Sequence, residues 1–301
     1  MAVKAVLVTG ASTGIGQACA LHLDHLGHRV YAGVRKQAQA QELSGRGSGR
    51  LTPVILDVTE QAQVDAVAAR IAADGGELAG IVNNAGVAMG GPLEYLPLSA
   101  WREQFDVNVL GQVAVTKAML PLIRPAHGRV VFMGSIGGRM ATMLLGPYCA
   151  SKFAIEAIGE TLRQELHPWG ISVSVIEPGA IKTPIWDKGR RDADDLEQAL
   201  PAEARTQYAS HIAAIRKGID MQDRNSVSPQ KVARAVEHAL FASRPRTRYL
   251  VGTDARVQSS SIPCRRSPRG WSRPCTKTKI PRRTRIPASV TTASGSSLST
   301  T

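Results

Sequence analysis

Short apolar runs and longer segments of helical spacing alternate along most of this chain. Val3–Val8, Arg29–Val34, Thr52–Leu56, Gly80–Val82, Gly128–Met133, Ile171–Ile176 and Arg248–Val251 read as buried strands. Between them Ile15, Ala18, Cys19, Leu21, His22 and Leu26 recur at helical spacing, as do Val64, Val67, Ala68 and Ile71. A long helix is predicted from Leu98 to Ile123, and another from Tyr148 to His167, with its exit at Pro168 and Gly170. Strands that take turns with helices predict an α/β fold on a parallel sheet, one domain covering 1–254.

Two stretches break the alternation. Residues 184–225 are polar and charged, with scattered Trp186, Tyr208, Ile212, Ile215 and Met221. They follow a Pro-Gly pair directly and read as a mobile helical lid over a substrate pocket; a solvated surface hairpin is the plainer alternative. From residue 255 onward the chain turns to Ser, Thr, Pro and Arg without periodicity, so the tail 255–301 is expected to be disordered. Ten of the 37 Lys/Arg and none of the 24 Asp/Glu lie in 256–301, so the whole-chain charge of +13 falls to +3 for the remainder. The body is therefore nearly balanced. The tail has a single aromatic, Trp271, and no amphipathic helix, so neither nucleic acid nor a membrane is expected as a partner, the basic tail being the one feature that argues otherwise. No apolar run is long enough to span a membrane and the start is not that of a signal peptide, so the expected location is cytoplasmic. The cysteines Cys19, Cys149, Cys264 and Cys275 form no metal-ligand spacing, and no metal is expected.

The chemistry lies in the turns after the strands. Thr9-Gly10-x3-Gly14-x-Gly16 stands between a strand and a helix, where glycines permit a tight turn and close approach to a pyrophosphate at the helix start. Gly10, Ser12, Thr13, Gly14, Ile15 and Gly16 are therefore cofactor-binding candidates. The second strand ends in Val34-Arg35-Lys36 with no acid to accept bonds from a ribose and repel a 2′-phosphate. Arg35 suits that phosphate, so NADP(H) is expected, with NAD(H) as the alternative. Tyr148 and Lys152 are spaced i and i+4 and share a helix face. A nearby ammonium favours the phenolate, so Lys152 is expected to lower the Tyr148 pKa and fit it for proton transfer. Ser135 ends the preceding strand and is placed to hydrogen-bond a substrate oxygen. Asn108 interrupts a helix and is a candidate to hold water in a proton relay.

These motifs, with Asp57, Asn83-Asn84-Ala85-Gly86 and Pro178-Gly179, resemble those of the short-chain dehydrogenase/reductase family in its compact single-domain branch. The resemblance covers about 1–254. It implies a Rossmann-type, doubly wound sheet of seven parallel strands with helices on both faces, and hydride transfer between nicotinamide and a carbonyl/alcohol carbon. It further implies Tyr148 as acid/base, Lys152 on the nicotinamide ribose, Ser135 on the substrate oxygen and Asn108 in the relay. Asp57 would lie by the adenine, Asn84 and Gly86 along the cofactor, and Pro178, Gly179, Ile181 and Thr183 around the nicotinamide. Homodimers or homotetramers joined through helices 98–123 and 148–167 are implied as well.

Tyr148–Glu156 and Leu162–Leu166 also resemble the hydroxysteroid and retinol dehydrogenase neighbourhood of that family. Met89, Met140, Met143, Leu144, Leu145, Trp186 and Met221 are candidates for an apolar pocket, which suits a steroid, a retinoid or another lipophilic alcohol or ketone. Packing in the core or lid is the competing reading of the same residues. Reduction of a 3-oxoacyl thioester and a cofactor-binding protein without turnover are the alternative functions.

Overall fold

The computed structural model describes residues 4–252 and 254–255, all within one compact unit. The tail assigned above to disorder lies outside the described residues. The chain runs β1 (Ala5–Val8), α1 (Gly14–His25), β2 (Arg29–Val34), α2 (Gln37–Ser44), β3 (Leu51–Ile55), α3 (Gln61–Ala73) and β4 (Gly80–Asn83). It continues through α4 (Leu98–Phe105), a π-helical turn (Asp106–Leu110), α5 (Gly111–Ile123), β5 (Arg129–Met133), a 3-10 turn (Ile136–Gly138), α6 (Gly146–Leu166) and β6 (Ser172–Pro178). Helices α7 (Ile185–Ala199), α8 (Ala202–Arg224) and α9 (Gln230–Phe241) precede β7 (Arg248–Val251). All seven strands are parallel, in the order β3-β2-β1-β4-β5-β6-β7. The order reverses between β1 and β4, which opens a crevice beyond their carboxyl ends.

The strands are mostly apolar, and a period of two divides their side chains between two cores. Val6, Val8, Val30, Ala32, Val131, Met133 and Ile176 face one side, covered by α1, α2 and α9. Leu7, Tyr31, Val130, Phe132, Val173 and Val175 face the other, covered by α3, α5 and α6. Cys19 is buried in the first of these cores, and burial pushes its thiol up to about 12.

All seven strands appear within a few residues of their predicted positions. Two helices are additional. Helix α2 carries only Ala40 and Leu43 as buried apolar residues, too few to signal a period. Helix α9 was legible, because Val232, Ala233, Val236, Ala239 and Leu240 form a helical stripe just after Pro229. The predicted helix 98–123 is continuous except for the π turn, and Asn108 sits in it. The segment 184–225 is two helices, divided at Leu200-Pro201. Its charges are bonded between those helices: Arg190 reaches Asp220 (3.1 Å) and Asp223 (2.5 Å), and Arg216 reaches Asp194 (2.6 Å).

Candidate active site

The glycine turn leaves β1 with Gly10 and Gly14 at φ +64° and +58°, the left-handed region where glycine is favoured. Gly16 is required for a different reason: a Cβ there would stand 2.2 Å from the Gly10 carbonyl oxygen. Thr13 precedes α1 in an extended conformation and makes no side-chain capping bond, so the first-turn N–H groups remain open to an anion. The turn is braced from β4. Thr9 Oγ1 accepts from the Asn84 and Ala85 N–H groups at 3.0 Å each, and Asn84 Nδ2 donates to the Thr9 and Gly10 carbonyls at 3.0 and 3.1 Å. Asn84 thus shapes the turn. Ser12 is half-buried, its carbonyl accepting from Gln17 Nε2, and Ile15 packs onto the α1 core. At the end of β3 one Asp57 oxygen accepts from Thr59 N–H and Oγ1. Arg35 and Lys36 are exposed just beyond β2, and Arg35 has no ion-pair partner among the described residues.

The crevice closes with the loop after β6. Thr183 lies over Gly14, its Cγ2 3.2 Å from where a Cβ would be. The Gly179 N–H donates to Val251 O at 2.9 Å, and the Ala180 N–H to Asp254 Oδ2 at 2.7 Å. The Asp254 carboxylate fills the space over Gly179, where a Cβ would stand 2.3 Å from either of its oxygens. The glycine of the Pro178-Gly179 pair is therefore imposed by a side chain 75 positions later in the chain. Sequence reading passed over Asp254. Ile181 is buried, and its carbonyl accepts from Trp186 Nε1 at 2.8 Å.

Ser135, Tyr148 and Lys152 come together at the carboxyl end of β5. Ser135 Oγ accepts from Gly137 N–H at 3.1 Å, and it and the Tyr148 ring both face the Gly137 turn, 3.4 and 3.2 Å from where a Cβ there would be. Gly138 permits the 3-10 turn to sit on α6, since a Cβ would lie 2.8 Å from Lys152 O. The buried Lys152 ammonium donates to Met133 O at 2.7 Å and stands 5.7 Å from the centre of the Tyr148 ring. Burial pulls its pKa down to about 8. The Tyr148 phenol is pushed up by burial, against a downward pull from its bond to Ser135. This corrects the expectation that Lys152 lowers the tyrosine: its ammonium is bonded to a backbone carbonyl, and desolvation outweighs the favourable contact. The Asn108 amide is fully engaged, Oδ1 accepting from Val87 N–H (2.8 Å) and Nδ2 donating to Val87 O (3.0 Å) and Ser151 Oγ (3.1 Å). Its side chain holds segment 86–89 against α6. A Cβ at Gly86 would stand 3.2 Å from Asn108 Oδ1, a tight contact. Gln104, also missed, does the same from α4 by accepting from Met89 N–H and donating to Val87 O.

The apolar candidates are only partly gathered. Met89 and Leu144 are half-buried on adjoining loops, joined by Gly91 N–H to Leu144 O at 2.7 Å. Leu144, at φ +62°, packs into a small cluster of Leu196, Leu200, Ala204, Tyr208 and Ile212 from α7 and α8 with Tyr95. Trp186 is fixed beside the β6 loop. Met140, Met143 and Met221 are exposed, Met143 to 49% and Met221 to 58%, which places them outside any closed wall.

The family model for short chain dehydrogenases matches residues 4–194. Retinol dehydrogenase 5 of Mus musculus is 36% identical over 276 residues, spanning 86% of this chain and 85% of that protein. The mitochondrial D-beta-hydroxybutyrate dehydrogenase of Bos taurus is 38% identical over 267 residues, covering 82% and 76%. A solved short-chain dehydrogenase from Streptomyces avermitilis superposes with a TM-score of 0.73 at 28% identity, over 86% of this chain and 92% of its own.

Proposed function

The chain belongs to the short-chain dehydrogenase/reductase family and is an NAD(P)-dependent oxidoreductase of alcohol and carbonyl groups, and from that premise we propose that it acts on a lipophilic alcohol or ketone of steroid or retinoid type and prefers NADP(H). The observation that carries the catalytic assignment is the convergence of Ser135 and Tyr148 on the Gly137 turn, with the buried Lys152 ammonium behind them. Ser135 holds the substrate oxygen. Tyr148, kept protonated by burial, donates to a carbonyl oxygen in reduction and takes the proton back in oxidation. Lys152 is the group for the nicotinamide ribose, and Asn108 keeps segment 86–89 in place as its part in the relay.

The residues fit a dinucleotide. The backbone of Gly10, Ser12, Thr13, Gly14, Ile15 and Gly16 offers N–H groups and no side-chain bulk for the pyrophosphate. Asp57 suits the adenine end, Asn84 and Gly86 the middle, and Pro178, Gly179, Ile181 and Thr183 the nicotinamide end. Once bound, the nicotinamide supplies or takes up the hydride. Arg35, exposed where β2 ends and with no acid beside it, supports the NADP(H) preference. Met89, Leu144 and Trp186, with Met143 at the rim, support a lipophilic substrate, and α7 and α8 are the lid. Exposed Leu98, Leu110 and Phe153 on α4, the π turn and α6 support a homodimer or homotetramer. Among the described residues no helix is long and apolar enough to cross a membrane.

The test is a side-by-side fluorescence titration with NADPH and NADH, followed by NADPH oxidation with steroid and retinoid carbonyls, a 3-oxoacyl thioester and a 3-oxo acid. We expect NADPH to bind at least about tenfold tighter, one charge-assisted contact's worth, and the lipophilic carbonyls to turn over best. Tyr148→Phe should cut turnover by about two orders of magnitude or more and leave NADPH binding within about twofold. Tighter NADH binding overturns the Arg35 reading, and surviving activity in Tyr148→Phe overturns the mechanism.

A further inference from the structure

Glu177 is completely buried one residue before Pro178. Its carboxylate meets Arg139 Nε at 2.6 Å, from the turn that follows Ser135, and Arg248 Nε at 3.5 Å, from β7. Arg248 also holds Glu156 (3.0 Å) and the more exposed Glu160 (3.1 Å) on α6. Glu160 in turn pairs with Arg163 at 2.7 Å. Glu156 lies one helical turn beyond Lys152, and its Oε1 is 3.2 Å from the Cβ position of Gly134, between the carbonyl that holds Lys152 and Ser135 itself. Burial, with Glu156 nearby, pushes the Glu177 carboxyl up to about 7 against the pull of the two guanidiniums. Ion pairs in such places are often matched or bettered in stability by apolar residues of similar size. Stability alone gives no reason for a buried carboxylate here. What distinguishes the pair is its connections, since Arg139 and Glu177 link the Ser135 turn to the root of the Pro178–Thr183 loop.

We propose that Arg139 and Glu177 are positioning residues whose ion pair fixes the Ser135 turn relative to the Pro178–Thr183 loop, and so sets the separation between the substrate oxygen and the cofactor. The inference rests on the roles given above to Ser135 and that loop. Each acts through backbone: Arg139 through the 3-10 turn carrying Ser135, and Glu177 through Pro178.

The experiment uses the full chain and the variants Arg139→Gln, Arg139→Lys, Glu177→Gln and the Arg139→Gln/Glu177→Gln double. Active sites are counted by NADPH titration, so that a fall in folded fraction is not read as a fall in rate. We expect each single Gln variant to lose about tenfold in kcat per site, NADPH Kd to change less than twofold, and Arg139→Lys to recover most of the loss. The double variant should be no worse than the worse single, because both remove one interaction. Hydrogen exchange supplies a reading that needs no turnover. In Glu177→Gln the segments 135–139 and 178–183 should exchange faster together, while the glycine turn 9–16 is unchanged. Unaltered exchange in both segments, or multiplicative losses in the double variant, overturns the proposal. If the wild-type chain turns over none of the carbonyls tested, the proposed function falls, and the exchange pattern still decides whether this pair positions the two segments.

Discussion

Replacing Lys152 with Met should stabilise the protein while abolishing its turnover. Lys152 is 5% exposed, and burial brings it from 10.5 to about 8. That shift corresponds to about 3 kcal/mol of destabilisation at pH 7, where the folded chain must carry a desolvated ammonium. Methionine is close in length and apolar, so it removes the charge without opening a cavity. Against the gain stands the lost bond to Met133 O, about 1 kcal/mol or somewhat more. The net expectation is a gain of about 1–2 kcal/mol, a rise in Tm of about 2–6 °C for a domain of this size. The pH dependence gives the effect its signature. Because the folded-state pKa is depressed, the unfolded chain binds more protons between about pH 8 and 10.5, and wild-type stability rises with pH across that window. Lys152→Met lacks the group, so its advantage is full below about pH 8, vanishes within the window and gives way near 10.5 to a deficit of about 1 kcal/mol, the lost bond to Met133 O. Urea unfolding of both proteins at several pH values measures the difference, in which the other titrating groups cancel. A variant less stable than wild type at pH 7, or a difference that does not narrow across that window, would refute the reasoning.

The same titration bears on catalysis: kcat/KM for the cofactor reports free-enzyme groups and should fall above about pH 8, as Lys152 loses its proton. Gly16→Ala places a methyl 2.2 Å from Gly10 O, so NADPH fluorescence titration should find binding lost while the circular dichroism of the fold survives. Asp254→Ala removes the acceptor for Ala180 N–H and should weaken NADPH binding about tenfold, or about 1.4 kcal/mol. Asp254→Asn keeps an acceptor oxygen and should recover most of that binding, and equal losses in both variants would contradict the assignment.

Much of this protein can be read in the order of its residues. All seven strands announce themselves as short, mostly apolar runs, because a sheet covered on both faces needs apolar side chains at most positions. The glycine turn, Ser135, Tyr148 and Lys152 are legible because their roles demand particular residue types at fixed local spacing. Helix α9 is equally legible in its apolar stripe, whereas α2 is too short and polar to show one. Other features depend on segments far apart in the chain. Asp254 reaches Gly179 and Ala180 only once β7 lies beside β6, and Arg139 meets Glu177 only because the β5 turn and the end of β6 are neighbours in the sheet. The proton equilibrium of Tyr148, set beside Lys152, departs from the expectation for the same reason. Spacing places the two on one face, whereas their pKa values follow from burial and from the partner the ammonium selects, Met133 O on another element. The sequence by itself thus determined the family, the candidate residues for its chemistry and the class of sheet they stand on. Tertiary structure alone decided which side chains brace them and which way their proton equilibria lean, because desolvation and long-range contact exist only once the chain is packed.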